Sequence, residues 1–383
     1  MKAKDVIELE RKYLMSTYSR PEFVLDHGKG CYVWDKDGKK YLDFIAGIGS
    51  SLLGHGNPGL SKTLAAQSKK LINPTNLFYT EPQVILAQKL AKLSGLNRVF
   101  FSNSGTEANE CAIKLARKWT KKSDIITIRF AFHGRTFGSL AGTWDEKYKK
   151  GFEPHLPGFL IVNENDISAV EDAITPNTSA VMIEPIQGEA GVRFFQEGYL
   201  KELREVCTKN NVLLIFDEVQ TGNGRTGKFF AYQHYGIKPD IVTLAKGLAN
   251  GVPIGATIAR KEIDFTPSSH GSTFGGNCLS CSAANYVIDY VQKKHLMNNA
   301  SMIGAYFVKR LKELKSPIIK EVRGLGLMVG LELNIDGKDI VDRCAEKGLL
   351  INCAHKYTLR FLPPLNTAKT DIEKCIEILK QVL

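Results

Sequence analysis

Short apolar runs alternate with longer stretches of helical periodicity along most of this chain. The runs, rich in Val, Ile and Phe, are typical of buried strands, whereas apolar positions spaced three and four residues apart are typical of a helix with one buried face. Residues 108–119 have the second pattern. The alternation predicts an α/β sheet with helices on its faces. The predicted strands are 98–101, 124–129, 180–183, 212–216, 241–244 and 256–259.

The length of the chain predicts more than one domain. Its 383 residues exceed what a single hydrophobic core usually supports. A hairpin is predicted over residues 31–44, with Asp37 and Gly38 in its turn, and strands and helices alternate again toward the C-terminus. We expect a large domain that holds the central sheet, and a small domain built from both ends of the chain. The expected boundaries are 1–48 and 299–383 for the small domain and 49–298 for the large one.

Composition and charge narrow the classes of partner. Hydrophobic residues make up 43% and charged residues 24% of the chain, as in soluble globular proteins. The net charge of +11 comes from scattered lysines without a basic run, which favours a surface that attracts anionic substrates over a nucleic-acid interface. No apolar run is long enough for a signal peptide or a membrane span. We therefore expect a soluble cytoplasmic protein with no nucleic-acid or membrane partner.

The eight cysteines do not have the dense spacing of a disulfide scaffold, which predicts reduced thiols. Cys278 and Cys281 form a CxxC, but no second pair accompanies them and they lie in the predicted helix 277–290. Structural packing is favoured over a metal or redox role, and no metal site is predicted.

An anion site is predicted where strand 98–101 passes through a small polar turn into a helix. Free backbone N–H groups and the helix dipole converge at Gly105 and Thr106. Ser104 and Glu107 also fit a capping box, which is the purely structural alternative. Phosphate binding is favoured because a cap alone does not call for the extra Gly-Thr pair.

Two further strands end in charged residues. Asp217 directly follows the apolar run 212–216, at the carboxyl end of a predicted parallel strand, where ligands bind in such sheets. A buried carboxylate there needs a partner such as a protonated ring nitrogen, although a metal ligand or a helix cap is also common. Lys246 follows strand 241–244 and suits a Schiff-base lysine with a lowered pKa, while a lysine that extends from a strand end into solvent is the alternative.

The three features have one ligand in common. Pyridoxal 5'-phosphate has a phosphate that suits a helix N-terminus, a pyridine nitrogen that suits a carboxylate, and an aldehyde that suits a lysine. Few other ligands need all three. A rival interpretation, a nucleotide-dependent oxidoreductase, uses the GxGxxG from Gly222 to Gly227. It is disfavoured because five residues separate that stretch from the end of its strand.

Several short stretches are spread over the chain: Tyr41-Leu-Asp-Phe, Ser104-Gly-Thr-Glu-Ala, Phe132-His-Gly-Arg-Thr, Glu184-Pro-Ile-Gln-Gly-Glu, Asp217-Glu-Val-Gln-Thr-Gly, Lys246-Gly and Gly271-Ser-Thr-Phe-Gly-Gly-Asn. With them the chain resembles the class III, or omega, aminotransferases, and most closely the members that act on N-acetylornithine. The resemblance covers essentially the whole chain. It implies fold type I, with a large domain around a mostly parallel sheet flanked by helices and a small α+β domain from both termini.

The resemblance also implies roles for residues around the cofactor. Asp217 would meet the ring nitrogen and Lys246 the aldehyde carbon, and Lys246 would then move the substrate proton. Thr273 would reach the phosphate of the neighbouring subunit, which implies a homodimer with shared sites. The other residues implied are Gly105 and Thr106 at the phosphate, Phe132 and Val219 on the two ring faces, and Gln220 at the ring hydroxyl.

Substrate recognition is predicted from two arginines, each suited to a carboxylate. By the resemblance, Arg360 would bind the alpha-carboxylate of glutamate and Arg135 its far carboxylate. An omega-amine donor would place its own alpha-carboxylate at Arg135 and leave Arg360 facing an uncharged chain. Glu189 resembles the residue that neutralises Arg360 in that half-reaction. A surface salt bridge is the alternative for each arginine.

The donor itself is predicted from smaller signals. Ile48 stands where free-ornithine aminotransferases have a tyrosine, which favours an N-acylated donor. Ser272 matches a position near the acyl-ornithine in relatives, although local backbone bonding explains a serine there equally well. We expect N-acetylornithine as donor and 2-oxoglutarate as acceptor. The alternatives are N-succinylornithine, N-succinyl-diaminopimelate, ornithine or 4-aminobutyrate as donor, or a pyridoxal-phosphate aminomutase.

Overall fold

The computed structural model describes all 383 residues, which form fifteen strands and twelve α-helices. The strands are β1 (Leu25–Lys29), β2 (Tyr32–Asp35), β3 (Lys40–Asp43), β4 (Arg98–Ser102), β5 (Asp124–Ile128), β6 (Phe159–Val162), β7 (Thr178–Ile183), β8 (Leu213–Asp217), β9 (Ile241–Leu244), β10 (Gly255–Ala259), β11 (Ile319–Leu325), β12 (Met328–Leu333), β13 (Leu349–Leu350), β14 (Asn352–Ala354) and β15 (Thr358–Phe361). The helices are α1 (Ala3–Tyr13), α2 (Ala46–Gly49), α3 (Pro58–Ser68), α4 (Glu81–Ser94), α5 (Gly105–Thr120), α6 (Phe137–Gly142), α7 (Ile167–Ala173), α8 (Tyr199–Lys209), α9 (Cys278–Lys293), α10 (Leu296–Lys312), α11 (Lys338–Glu346) and α12 (Lys369–Val382).

A seven-stranded sheet with the order β4-β10-β9-β8-β7-β5-β6 forms the centre of the protein. β10 runs antiparallel to both of its neighbours, and the pairs from β9 to β6 are parallel. The predicted α/β fold with a mostly parallel sheet is confirmed. Asp217 is the last residue of β8 and Lys246 lies just beyond the end of β9. Both therefore lie at the carboxyl edge of the sheet, where α/β proteins bind ligands.

The central strands are buried on both faces, which explains their nearly continuous apolar sequences. In β8, Leu214 and Phe216 belong to one core cluster, whereas Leu213 and Ile215 belong to another on the opposite face. α5 begins at Gly105, three residues before the helix predicted from periodicity, because its first turn is polar and contributes nothing to the buried face.

One strand of this sheet, β6, was not predicted. Phe159–Val162 forms the sheet edge, pairs only with β5 and is only partly buried. A four-residue edge strand carries too little apolar pattern to stand out from a loop. The six predicted strands are all present: 241–244 matches β9, and the other five have ends that differ by one or two residues.

Two smaller sheets lie outside the central one, with the orders β1-β2-β3-β13 and β11-β12-β15-β14. The predicted hairpin is present as β2 and β3, and Gly38 in its turn has a φ of 85°. β13 pairs in parallel with β3, so the two ends of the chain share a sheet. One core cluster includes Phe44, Phe307 and Phe361 and contains residues from both ends. The domain boundaries after residues 48 and 298 stay a prediction.

All eight cysteines are free thiols, and seven of them are buried. Cys281 lies in the main core and Cys278 is 2% exposed, which fits the packing interpretation of the CxxC. None of the helices is both long enough and apolar enough to span a membrane.

Phe307 tests the core that joins the two ends of the chain. Its ring is fully buried and makes edge contacts with Phe44 and Phe361, at 5.8 and 5.1 Å between ring centroids. Phe307→Ala should lower the free energy of unfolding by about 3 to 5 kcal/mol, measured by denaturant unfolding, because it removes an aromatic ring and leaves a cavity.

Met302→Ala is the matched control, since Met302 lies on the same helix but is 66% exposed. It should change the free energy of unfolding by no more than about 0.5 kcal/mol. Equal effects of the two substitutions would contradict the assignment of this core.

Candidate active site

A pocket of about 390 Å³ opens at the carboxyl edge of the central sheet. Its volume lies within the range of small-molecule and cofactor sites. The residues that line it are Tyr18, Gly105, Thr106, Asn109, Phe132, His133, Gly134, Arg135, Glu184, Glu189, Asp217, Val219, Gln220 and Lys246. The fold thus brings together the phosphate turn, the strand-end Asp and the strand-end Lys that were predicted from separate parts of the sequence.

Asp217 is held by three hydrogen-bond donors and is 4% exposed. The side-chain amide of Asn109 donates to Oδ2 at 2.7 Å, Nδ1 of His133 lies 2.8 Å from the same oxygen, and the backbone N–H of Val219 donates to Oδ1 at 3.0 Å. A buried carboxylate needs such hydrogen-bond partners. The arrangement offers a fixed anion to a cationic ring nitrogen.

The first turn of α5 borders the same pocket. The backbone N–H groups of Gly105 and Thr106 belong to this turn, where no acceptor within the helix is available. Ser104 caps the helix by accepting from the N–H of Glu107 at 3.3 Å. A Cβ atom at Gly105 would lie 2.6 Å from the Val219 side chain, so only glycine permits this close approach. The turn is therefore both a helix cap and an open anion site.

Lys246 and Asp217 line the same pocket, and the amine of Lys246 has no fixed hydrogen-bond partner. Its side chain forms no hydrogen bond or salt bridge, and burial lowers the pKa of its amine even though Glu189 and Asp217 oppose that shift. Its backbone has a φ of 45°, which is uncommon for a residue other than glycine. An amine that is easily deprotonated is suited to act as a nucleophile and as a base.

Glu184 shares the buried environment of Asp217. Burial, and secondarily the charge of Asp217, raise the pKa of Glu184 to about 7. The backbone N–H groups of Phe132 and Gly188 donate to its two carboxyl oxygens at 3.0 and 3.1 Å. Glu184 thus holds the segment that carries Phe132 at the pocket.

A buried ion pair lies on the substrate side of the pocket. Nη1 of Arg360, a residue that is 1% exposed, lies 2.7 Å from Oε1 of Glu189 and donates at 3.1 Å to Oε1 of Gln220. Burial alone would raise the pKa of Glu189, but Arg360 outweighs it and lowers that pKa to about 2. Arg360 is neutralised here by Glu189, as the resemblance noted in the sequence implied.

Arg135 differs from Arg360 in having no acidic partner. Its side chain is exposed at the pocket, forms no salt bridge, and lies over the ring of Tyr148 with 4.5 Å between the guanidinium carbon and the ring centroid. The salt-bridge alternative for Arg135 is therefore not what the structure contains, and its charge is available to an anion. Ile48, in α2, is 43% exposed and has a φ of 56°.

Two predicted site residues are not part of this pocket within one chain. Oγ of Ser272 accepts from the N–H of Gly275 at 2.9 Å, which is the local bonding expected of a serine in a tight turn. Thr273 is exposed, and its carbonyl accepts from the side chain of Asn73 at 3.2 Å. Neither lines the pocket around Lys246.

Comparison with known proteins identifies the protein family. Residues 14–383 match the family described as "Aminotransferase class-III". The chain belongs to the class-III aminotransferases. Acetylornithine aminotransferases of Methanocaldococcus jannaschii and Aquifex aeolicus are 50% and 49% identical to it, over 100% and 97% of this chain and 98% and 100% of theirs. The ornithine aminotransferase of Toxoplasma gondii superimposes with a TM-score of 0.96 at 35% identity, over 100% of this chain and 95% of that one.

This aminotransferase uses pyridoxal phosphate, as its family does, and the pocket suits that cofactor. When bound, pyridoxal phosphate withdraws electrons from the carbon that loses its proton. The N–H groups at Gly105 and Thr106 can receive a phosphate, Asp217 a protonated ring nitrogen, and the unpartnered amine of Lys246 an aldehyde. The absence of a side chain at Gly105 lets Val219 pack directly against this turn.

Three polar residues and one aromatic residue of the pocket were not predicted. Asn109 and His133 fix Asp217, Glu184 fixes the segment with Phe132, and Tyr18 also lines the pocket. Asn109 could have been found, because it is a polar residue on the buried face of α5. Tyr18 lies outside any periodic element and gave no such signal.

The aminotransferase does not have the nucleotide-binding turn of the rival interpretation. The stretch from Gly222 to Gly227 is a series of turns that leads into a short 3-10 helix, Ala231–His234, instead of opening an α-helix after a strand. The geometry that lets GxGxxG bind a pyrophosphate is therefore lacking.

Lys246→Ala should abolish both the visible absorption of the purified aminotransferase and its amino transfer, since the cofactor would lose its covalent attachment and the reaction its base. Absorption spectroscopy and an activity assay measure the two effects. Lys261→Ala, at an exposed position, is the control and should keep both. A colourless wild type after reconstitution with pyridoxal phosphate, or a coloured Lys246→Ala with full activity, would contradict the assignment.

Proposed function

We propose that this aminotransferase moves the distal amino group of N2-acetyl-L-ornithine to 2-oxoglutarate, giving N-acetyl-L-glutamate 5-semialdehyde and L-glutamate, a reaction of arginine biosynthesis. The observation that carries the proposal is the high identity to acetylornithine aminotransferases along the whole chain. Eight such relatives are 43% to 50% identical over at least 97% of this chain. We also propose that the enzyme works in the cytoplasm.

Lys246 and Asp217 carry the central roles in this proposal. Asp217 would bind the protonated ring nitrogen, because the donors of Asn109 and Val219 fix the position of its carboxylate. Lys246 would hold the cofactor, and its amine, with its lowered pKa, is suited to move the proton of the substrate carbon. Gly105 and Thr106 would hold the phosphate, Phe132 and Val219 would contact the ring faces, and Gln220 would bind the ring hydroxyl, since all of them line the same pocket.

Arg135, Arg360 and Glu189 together allow two different substrates in the same pocket. The free guanidinium of Arg135 binds the alpha-carboxylate of the acylated donor. Glu189 stays paired with Arg360 in that half-reaction, so the buried cation is never left without an anion. Glutamate and 2-oxoglutarate displace Glu189 and bind Arg360 with their alpha-carboxylate. A single ion pair therefore switches the specificity.

An N-acylated donor is favoured over free ornithine. Ile48 cannot donate or accept a hydrogen bond, whereas the tyrosine of free-ornithine enzymes helps to hold the alpha-amine of the donor. Ser272 is proposed to lie near the acyl group, although its hydroxyl bonds locally within its own turn. N-succinylornithine, N-succinyl-diaminopimelate, ornithine and 4-aminobutyrate are the competing donors.

The active form is proposed to be a homodimer in which Thr273 contacts the phosphate in the neighbouring site. Large apolar side chains are exposed close to Thr273 in sequence and space, including Phe78 and Phe274 at 67% and 61%. Asn76 connects the two segments by donating to the carbonyl of Ser272 at 2.9 Å. Exposed apolar surface of this kind is typical of a subunit interface.

The donor proposal predicts that kcat/KM is highest for N-acetylornithine, with 2-oxoglutarate as the shared acceptor. Steady-state assays over the five donors named above measure it. Free ornithine should be at least about tenfold poorer, since its charged alpha-amine finds no partner beside Ile48. If another donor gave glutamate faster, that donor would be the substrate in place of N-acetylornithine. If none of the donors gave glutamate, the assignment of amino transfer would be contradicted.

The dimer proposal predicts that sedimentation gives a mass of twice 42.5 kDa for the wild type. Phe78→Arg should shift the equilibrium toward monomers and weaken retention of pyridoxal phosphate, because it places a charge in the proposed interface. Phe152→Arg, at a residue that is 56% exposed elsewhere, is the control and should stay dimeric. A monomeric wild type with full activity would contradict the shared site.

A further inference from the structure

The loop that carries Glu189 is held from outside the pocket. Gln187 and Arg193 form an antiparallel bridge at its base, with both backbone hydrogen bonds at 3.0 Å. Between them, the loop turns back through Gly191 and Val192, which have φ angles of 97° and 55°. A left-handed conformation is unfavourable for a β-branched residue and persists only where the surroundings impose it.

Arg323 on β11 supplies that constraint. Its Nε donates to the carbonyls of Gly191 and Val192 at 3.1 and 2.9 Å, and its Nη2 donates to Gly191 at 2.7 Å. Nη1 is bound by Glu332 at 2.5 Å and by Glu321 at 2.6 Å. Because two carboxylates neutralise Arg323, it holds the loop backbone and does not compete for the side chain of Glu189.

The register of the sheet aligns Arg323 with Arg360. Arg323 pairs with Gly330 on β12, and Gly330 pairs with Arg360 on β15, so the three residues form one row on one face. A Cβ atom at Gly330 would lie 3.1 Å from the carbonyl of Gly191 and 3.2 Å from Cβ of Val192. The loop therefore lies over Gly330. Arg323 binds the backbone carbonyls of the loop, and Arg360 binds the carboxylate of Glu189.

We propose that Arg323, oriented by Glu332, is a positioning residue that keeps Glu189 on Arg360 and so sets how readily the enzyme admits a dicarboxylate. This inference rests on the proposed function, in which Glu189 neutralises Arg360 for the monocarboxylate donor. The hydrogen bonds from Arg323 to the loop backbone oppose the movement of Glu189 away from Arg360. A dicarboxylate that binds Arg360 must displace Glu189 against these hydrogen bonds, and the apparent affinity of the dicarboxylate is lowered as a result.

Arg323→Gln tests the proposal through the split between the two substrates. It should lower kcat/KM for the acylated donor by roughly tenfold, as expected for the loss of hydrogen bonds from a charged donor, and raise that for 2-oxoglutarate by roughly three- to tenfold, because the dicarboxylate then displaces Glu189 more readily. Arg343→Gln is the control, because it removes an exposed arginine of α11 that pairs only with Asp339, at 2.9 Å. Equal losses for both substrates would overturn the proposal, since damage to the fold acts on both.

A binding measurement gives a second readout that needs no turnover. Glutarate, an unreactive dicarboxylate of the same length as 2-oxoglutarate, should bind to the Arg323→Gln holoenzyme roughly three- to tenfold more tightly than to the wild type, measured by calorimetry. Glu332→Gln, which leaves Arg323 in place but removes an anchor, should shift the affinity in the same direction by less, and it covers the case that Arg323→Gln does not fold. Unchanged or weaker glutarate binding in every variant overturns the proposal.

A double-mutant cycle with Glu189→Gln shows whether Arg323 acts through Glu189. With Glu189 already neutral, Arg323→Gln should leave glutarate affinity unchanged, and an equal effect in both backgrounds would overturn the proposal. The proposed function and the positioning role of Arg323 are tested by separate results. A wild type that transfers no amino group from N-acetylornithine contradicts the proposed function, while the glutarate measurement still decides on Arg323.

Discussion

Burial of charge at the carboxyl edge of the central sheet is the constraint on which the rest of this site depends. Asp217 is 4% exposed and Arg360 is 1% exposed, and ionised groups at such depth are costly unless they are paired. Each is accordingly surrounded by specific partners, Asn109 and His133 for one and Glu189 for the other. Beyond these partners, the charges of Asp217 and Arg360 remain able to bind a cofactor and a substrate.

This constraint also explains why two different sheets supply the residues of the site. The central sheet supplies rigid strand ends, because β8 and β9 are buried on both faces and place Asp217 and Lys246 with little freedom. The strands β11, β12 and β15 carry Arg323, Gly330 and Arg360, and so contact the Glu189 loop from the other side. Asp217 and Lys246 thus come from the central sheet, whereas Arg360 and the residues that hold the Glu189 loop come from a second sheet.

Much of the fold could be predicted from the sequence, for a physical reason. Strands such as β8 bury both faces, so their apolar runs are nearly continuous and easy to detect, whereas β6 at the sheet edge is half exposed and was missed. The phosphate turn, Asp217 and Lys246 were detectable because each lies at or just beyond the end of a strand. His133 and Glu184 were not predicted, because the groups that they contact are distant along the chain, whereas the signal for Asn109, a polar residue on the buried face of α5, was overlooked.

The sequence alone determined which residue types are available and in which order: a small polar turn before α5, a carboxylate at the end of β8, a lysine after β9, and two arginines suited to carboxylates. Only the tertiary structure decided which of them meet. The pairing of Glu189 with Arg360 spans 171 residues, and that of Arg323 with Gly191 spans 132. Such contacts depend on strand register and loop packing, and these follow from the whole core and not from any local pattern.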